Sequence, residues 1–288
     1  MPSEAEAKAC CADLYQSDMA KLIMGDTLHP GGLGLTNKLG RLMGLESGDV
    51  VVDLASARGE SAQALGRVFR CSVLGVEFGA EAVRHAHDAA PETGHAHFVR
   101  GDAECLPLRT GAFDAAVCEC SMSLFINKAK AVAETARLLK PGGRFGLSDV
   151  TIEPGSLPSE LQGDLGQVLY MTSALTADGY VQLLEDGGFE VTQRLDASSE
   201  IIKILDEIQG KLAAFLAFPR MSGAPPEKAN SSGRRSWWPK FGTWLPLGNW
   251  ATGSSLAKNG ARSRCKTRFD ILLRKERHGR NGFLFRSS

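Results

Sequence analysis

Val51-Val52-Asp53-Leu54-Ala55-Ser56-Ala57-Arg58-Gly59 is an apolar run that ends in an acid and then in small residues at every second position. The run reads as a short buried strand over Asp49–Leu54. Small residues at 55, 57 and 59 let the backbone turn tightly and approach a ligand. Ser61–Phe69 carries helical periodicity, and the start of a helix presents free N–H groups. By itself this pattern fits a nucleotide-binding loop or a plain strand–helix turn.

Outward from this stretch the same alternation continues. Cys71–Glu77 reads as a strand, Ala80–Ala89 as a helix and Ala96–Arg100 as a strand. Phe113–Cys118 is a strand, Lys128–Leu139 a helix, and Pro141-Gly142-Gly143 turns the chain into strand Arg144–Val150. Helices near 158–173 and 177–186, strand Phe189–Arg194 and a helix near 199–217 follow. Strands and helices alternating at this spacing imply parallel strands with right-handed crossovers, covered on both faces. The expected class is therefore α/β: a Rossmann-like, doubly wound, mostly parallel sheet. Before it, residues 4–24 read as an amphipathic helix. His29-Pro30-Gly31-Gly32 makes a turn, and Thr36 N-caps a helix through Leu45. This divides the chain into a helical cap (1–46), a sheet domain (47–220) and a tail (221–288).

The tail differs in kind. It holds 14 Lys/Arg against 3 Asp/Glu, in a chain whose formal net charge is zero, and all four tryptophans lie in it. Basic and aromatic character can mark a nucleic-acid or acidic-membrane contact. Yet Trp237, Trp238 and Trp244 follow no period, so a solvated, mostly irregular extension is expected, with Arg268–Arg274 as one final strand. The change is abrupt enough to suggest a foreign or out-of-frame C-terminus. A small molecule rather than a nucleic acid is the expected partner. No apolar run approaches the ~18 residues that span a bilayer. The acidic N-terminus is no secretory signal, so a cytoplasmic protein is expected, its seven cysteines thiols.

In a doubly wound sheet, ligands bind beyond the carboxyl ends of the strands. Besides the 53–59 loop, three segments meet that edge. Glu77 ends its strand and can accept hydrogen bonds from both ribose hydroxyls, unless it is only a solvated strand-end acid. In Gly101-Asp102-Ala103-Glu104-Cys105-Leu106-Pro107, Asp102 can accept an adenine amino group beside an apolar wall of Ala103 and Leu106. Leu139-Lys140-Pro141-Gly142-Gly143 is a helix-to-strand turn. A dinucleotide loop needs G-x-G-x-x-G for its pyrophosphate; Ala-x-Ala-x-Gly suits a sulfonium nucleoside without phosphate.

In this order, the four segments resemble the class I S-adenosylmethionine (SAM)-dependent methyltransferases, over roughly residues 10–200. Gly-Asp-Ala-Glu-x-Leu-Pro and Leu-Lys-Pro-Gly-Gly are similar to the quinone and metalloid branch (methyltransferase type 11). The resemblance implies SAM as cofactor, held by Asp53, Ala55, Ala57, Gly59, Glu77, Asp102, Ala103 and Cys118. That family usually has glycine where Ala55 and Ala57 stand, so a thicker loop is expected here.

On the acceptor side, Cys10-Cys11-Ala12-Asp13-Leu14-Tyr15 with His29-Pro30-Gly31-Gly32-Leu33 resembles the N-terminal segment of arsenite-methyltransferase-like proteins. Val117-Cys118-Glu119-Cys120-Ser121 resembles their substrate-cysteine segment, and Ser148-Asp149-Val150 fits the same branch. The resemblance implies Cys120 as an arsenic-binding thiolate, helped by Cys10 or Cys11. Trivalent arsenic binds thiolate sulfur and attacks the sulfonium methyl with its lone pair, so positioning matters more than a base. Two other cysteines of that family would align with Ala62 and near Tyr170. A thiolate favours a polar, partly open setting, which is expected at Cys120. Cys71, Cys105 and Cys118 read as small buried apolar residues more readily than as ligands. The alternative acceptor is a quinone-like or sterol-like carbon or oxygen nucleophile, with His29 as base. A SAM-binding protein without catalysis is a third reading. His85/His87 and His95/His97 lack a partnering thiol or acid, so no metal is expected.

Overall fold

A computed structural model describes residues 29–91, 94–155, 173–200, 203 and 267–276. The helices expected at 4–24 and 158–173, Cys10, Cys11, Tyr170, most of 199–217 and the stretch 221–264 lie outside the described residues.

Helix α1 (Gly32–Leu42) precedes strand β1 (Val50–Leu54). Then come α2 (Glu60–Phe69), β2 (Ser72–Glu77), α3 (Ala80–Ala89), β3 (Ala96–Arg100) and β4 (Phe113–Glu119). A 3-10 turn at Met122–Leu124 leads to α4 (Lys128–Leu138), β5 (Leu139–Ile152), α5 (Ala177–Asp186), β6 (Phe189–Asp196) and β7 (Thr267–Glu276). The sheet order is β3-β2-β1-β4-β5-β7-β6, and β1–β5 pair in parallel. The strand order reverses between β1 and β4, which places the ligand crevice at their carboxyl ends. β7 enters antiparallel between β5 and β6, pairing Leu147 with Leu272 and Asp196 with Asp270.

Two apolar layers cover the sheet. Val51, Ala115 and Val117 face Leu39 and Met43 around α1 and Leu65 of α2. Val52, Leu54, Ala116 and Cys118 face Val132 of α4 and Tyr180 and Leu184 of α5. Successive residues of β1 thus alternate between two buried faces, which is why its sequence is continuously apolar. The same alternation sends Asp53, Glu77 and Glu119 to the face shared with α1 and α2. In the parallel register Asp53 lies level with Gly75 and Val117, two residues before the other two acids.

Two expectations are corrected. Thr36 does not cap α1; the helix starts at Gly32, because Gly31 at φ 81° turns the chain one turn earlier. Thr36 is buried inside the helix, and its side chain serves the site. Strand β5 starts at Leu139, not Arg144. Leu139 pairs with Phe113 and the ladder resumes at Ala115–Arg144, so Lys140–Gly143 form an irregularity in the strand, with Gly142 at φ 78°.

The loop after β1 is built from left-handed residues. Ala55 has φ 57°, Ala57 φ 47° and Gly59 φ 85°. Only the third position demands glycine, since a Cβ there would strike the Phe98 ring and come within 3.2 Å of Ala86. Left-handed backbone costs an L-residue about 1–2 kcal/mol. Ala55→Gly and Ala57→Gly relieve that, less the ~0.4–1 kcal/mol that glycine adds to unfolded-chain entropy. Each should therefore stabilise by roughly 0.5 kcal/mol. Urea midpoints measure this, and a lowered midpoint in both variants contradicts the strain.

Candidate active site

The loop's twist is held by a carboxylate. Glu77 is buried, and its Oε2 accepts the Ala57 amide at 3.0 Å while Oε1 accepts the Gly79 amide at 2.7 Å. Burial raises its pKa, and the amides of Gly79, Ala57 and Phe78 oppose that shift. A carboxylate has about four acceptor positions, so capacity for two ribose hydroxyls remains. The Ser56 amide donates to Val76 O and the Gly59 amide to Ser56 O, closing the turn. No side chain caps the start of α2. Its first amides therefore suit a carboxylate such as a methionine end.

Asp53 sits under this loop, 2 % exposed, and its Oδ2 has no hydrogen-bond partner among the described residues. Burial, then the carboxylates of Glu119, Glu77 and Glu60, hold its pKa well above the ordinary range. Ser56 Oγ is a second buried atom without a partner. Orphaned buried polar atoms are rare and call for an explanation; a ligand bearing an ammonium and hydroxyls supplies one. On the far side, Asp102 is half-buried and its Oδ1 accepts the Glu104 amide at 2.9 Å. Ala103 and Leu106 beside it are buried and supply the apolar wall. Glu104, which the sequence left without a role, accepts the amides of Ile126 and Asn127 and ties this loop to the segment after β4.

Cys118 has no exposed surface and packs with Leu54, Met122 and Leu147, so its side chain is core; only its backbone borders the strand ends. Cys120 is half-buried, with φ 51°, and its amide donates to Ser148 O at 2.7 Å. Strand-end strain of this kind concentrates at functional positions. The expected thiolate-favouring setting is absent. Burial first, then the Asp149 and Glu119 carboxylates, push the Cys120 thiol up, so it is protonated at neutral pH. Asp149 is itself buried, raised to about 6 by burial, against which the amides of Ser123 and Val150 work.

A second polar cluster lies between α1, α2 and β4. His29 is nearly buried; its Nδ1 faces Pro30 O at 3.3 Å and its Nε2 lies 3.2 Å from Ser61 Oγ. The contact to a carbonyl requires the proton on Nδ1, which leaves Nε2 to accept from Ser61. Thr36 Oγ1, 3.2 Å from Ser61 Oγ, donates to Glu119 Oε2 at 2.9 Å, and His29 Nε2 is 3.9 Å from the same oxygen. Glu119 Oε1 is buried without a partner among the described residues. Sequence reasoning found His29 but not Thr36, Ser61 or Glu119. Thr36 and Glu119 are 83 positions apart, and only strand parity hinted that Glu119 shares a face with Asp53.

With this geometry in place, comparison with known proteins is informative. Residues 52–147 match a methyltransferase domain family. That span, about a third of the chain, is similar to methyltransferase domains. An O-methyltransferase of Pyrenophora dematioidea is 26% identical over 157 residues, covering 54% of this chain and 59% of its own length. An arsenite methyltransferase of Aquipseudomonas alcaligenes is 32% identical over 207 residues, covering 65% and 57%. The chain spans about three fifths of the length of the curated relatives it matches. Among solved structures, a Haemonchus contortus phosphoethanolamine N-methyltransferase has TM-score 0.70 at 14% identity, covering 96% of this chain and 61% of that one. A [4+2]-cyclase, SpnF, has TM-score 0.66 at 19% identity, covering 93% and 94%. These likenesses establish the Rossmann-like fold; a cyclase among them shows that the fold alone does not set the reaction. The small-residue loop, the uncapped helix start and the orphaned Asp53 are features that a sulfonium nucleoside such as SAM would fit. No helix of the described residues is long and apolar enough to cross a membrane.

Asp53 should oppose stability while serving the ligand. Its raised pKa means that the penalty is absent below the unfolded carboxylate pKa of about 4 and grows as pH rises from there to the folded value. Asp53→Asn should therefore stabilise the ligand-free protein at pH 7 by roughly 1–3 kcal/mol, with the gain shrinking toward pH 4, and weaken SAM binding. Thermal melts across pH with calorimetry read both effects; a destabilised variant at pH 7 would contradict the assignment.

Proposed function

We propose that this chain is a SAM-dependent methyltransferase acting on a small organic hydroxyl. The observation that carries the cofactor half is the loop 53–59, held in left-handed geometry by Glu77 above the unpartnered Asp53. Bound SAM supplies an electrophilic methyl on a sulfonium sulfur. In this reading the α2 amides hold its carboxylate, Asp53 its ammonium, Glu77 its ribose, and Asp102 with Ala103 its adenine. Glu77→Ala should then cost SAM affinity by roughly 1.5–3 kcal/mol, the worth of a charge-assisted hydrogen bond. Calorimetric titration of SAM tests it, and unchanged affinity sinks the cofactor assignment.

The hydroxyl acceptor is favoured by the His29–Ser61–Thr36–Glu119 cluster at the strand ends, which can take a proton. Oxygen is a weak nucleophile until it loses one, whereas a metalloid lone pair needs no base. The elevated Cys120 thiol points the same way, because thiolate is the metalloid-binding form. Arsenite remains the second reading, favoured by the arsenite methyltransferase relatives and by strained Cys120 at the end of β4. Labelled SAM with phenols, quinols and arsenite separates the two. Under the hydroxyl reading Cys120→Ser leaves turnover of phenols within a few-fold, whereas under the metalloid reading it abolishes arsenite methylation. Transfer to arsenite alone, lost in Cys120→Ser, would replace the hydroxyl reading.

A further inference from the structure

Resting on that reading, we infer that Glu119 Oε1 is the atom that takes the acceptor's proton. The cluster's ring nitrogens and carboxylate oxygens make four positions, and three are already engaged. His29 Nδ1 is turned to Pro30 O, and His29 Nε2 is turned to the hydroxyls of Ser61 and Thr36. Glu119 Oε2 accepts from Thr36. Among the described residues Oε1 alone has no partner, on a carboxylate side chain only 4 % exposed. Leaving a buried carboxylate oxygen without a donor is costly, so a donor is expected from a bound molecule. Glu119 ends β4 beside the reversal point of the sheet, on the same face as Asp53 and Glu77, and so borders the place where the methyl donor's sulfur would lie. Its companions come from the 29–36 segment and from the first turn of α2, not from the loops that suit adenine and ribose.

In the step, an oxygen lone pair of the acceptor forms the O–CH3 bond as the S–CH3 bond breaks. The electron pair of that bond stays on sulfur, and the hydroxyl proton passes to Glu119 Oε1. Thr36 holds the carboxylate through Oε2. His29, 3.9 Å from Oε2, is a positioning residue that fixes Ser61 and Thr36.

Glu119→Gln on the full chain tests this. The substitution keeps the shape and removes one of the like charges near Asp53, so a thermal melt no lower than wild type is expected. Calorimetry should give SAM affinity within about threefold of wild type. Single-turnover methyl transfer to phenol should fall by ~10²-fold, the usual worth of a positioned base. Transfer to 4-nitrophenol, already ionised at pH 8, should fall less than about threefold, because no proton remains to be taken. Glu119→Asp should recover part of the loss on phenol. Equal losses on phenol and 4-nitrophenol would overturn the proposal in favour of a structural role. A tenfold or greater loss of SAM affinity would make Glu119 a cofactor residue and overturn it too. Wild-type protein that binds SAM and methylates neither phenol overturns it as well, whereas wild-type protein that binds no SAM defeats the proposed function itself.

Discussion

The contact on which the site depends is between the Glu77 carboxylate and two backbone amides, those of Ala57 and Gly79. The chain leaves β1 through two alanines in left-handed conformation, a turn that such residues do not hold unaided. Glu77 reaches from the neighbouring strand and fixes it. One oxygen bonds the loop after β1 and the other the amide that starts the approach to α3. The two crossovers that flank the ligand crevice are therefore joined through a single side chain. Because that side chain is buried and its amide bonds are charge-assisted, the loop is organised before any ligand arrives.

Around that contact the protein gathers Asp53, Glu77 and Glu119 on one buried face. Glu119 and Glu77 both raise Asp53, which is the expected outcome when like charges share a poorly solvated volume. A core selected for stability alone would not hold them. Their unpartnered oxygens, Asp53 Oδ2 and Glu119 Oε1, lie at the ends of adjacent strands, where a cationic or hydrogen-bond-donating ligand would relieve both. Local stability and ligand binding are opposed at this edge, as expected where a site is built from groups that only a ligand completes. On the opposite face, Asp149 accepts the amides of Ser123 and Val150.

The alternation of strands and helices was legible in the sequence because each strand is buried on both faces and each helix on one. Ala80–Ala89 and Ala96–Arg100 emerge with the bounds their periodicity implies. The start of α1 was misread because a glycine at φ 81° outweighed a good capping residue five positions later. The small-residue loop and Glu77 were legible through spacing alone. That Ala55 and Ala57 adopt the backbone of glycine was not, since a neighbouring carboxylate supplies the compensation. Cys120 was placed correctly at a strand end, but its electrostatic setting was misjudged, because Asp149 and Glu119 converge on it only in three dimensions.

Local order and layer pattern thus follow from the sequence, through periodicity and turn chemistry that act over a few residues. The tertiary structure alone decided which acids lack partners, which carboxylates raise the Cys120 thiol and which hydroxyl meets Glu119. Burial and through-space charge depend on residues such as Thr36 and Glu119, which are neighbours only because α1 lies across the carboxyl end of β4.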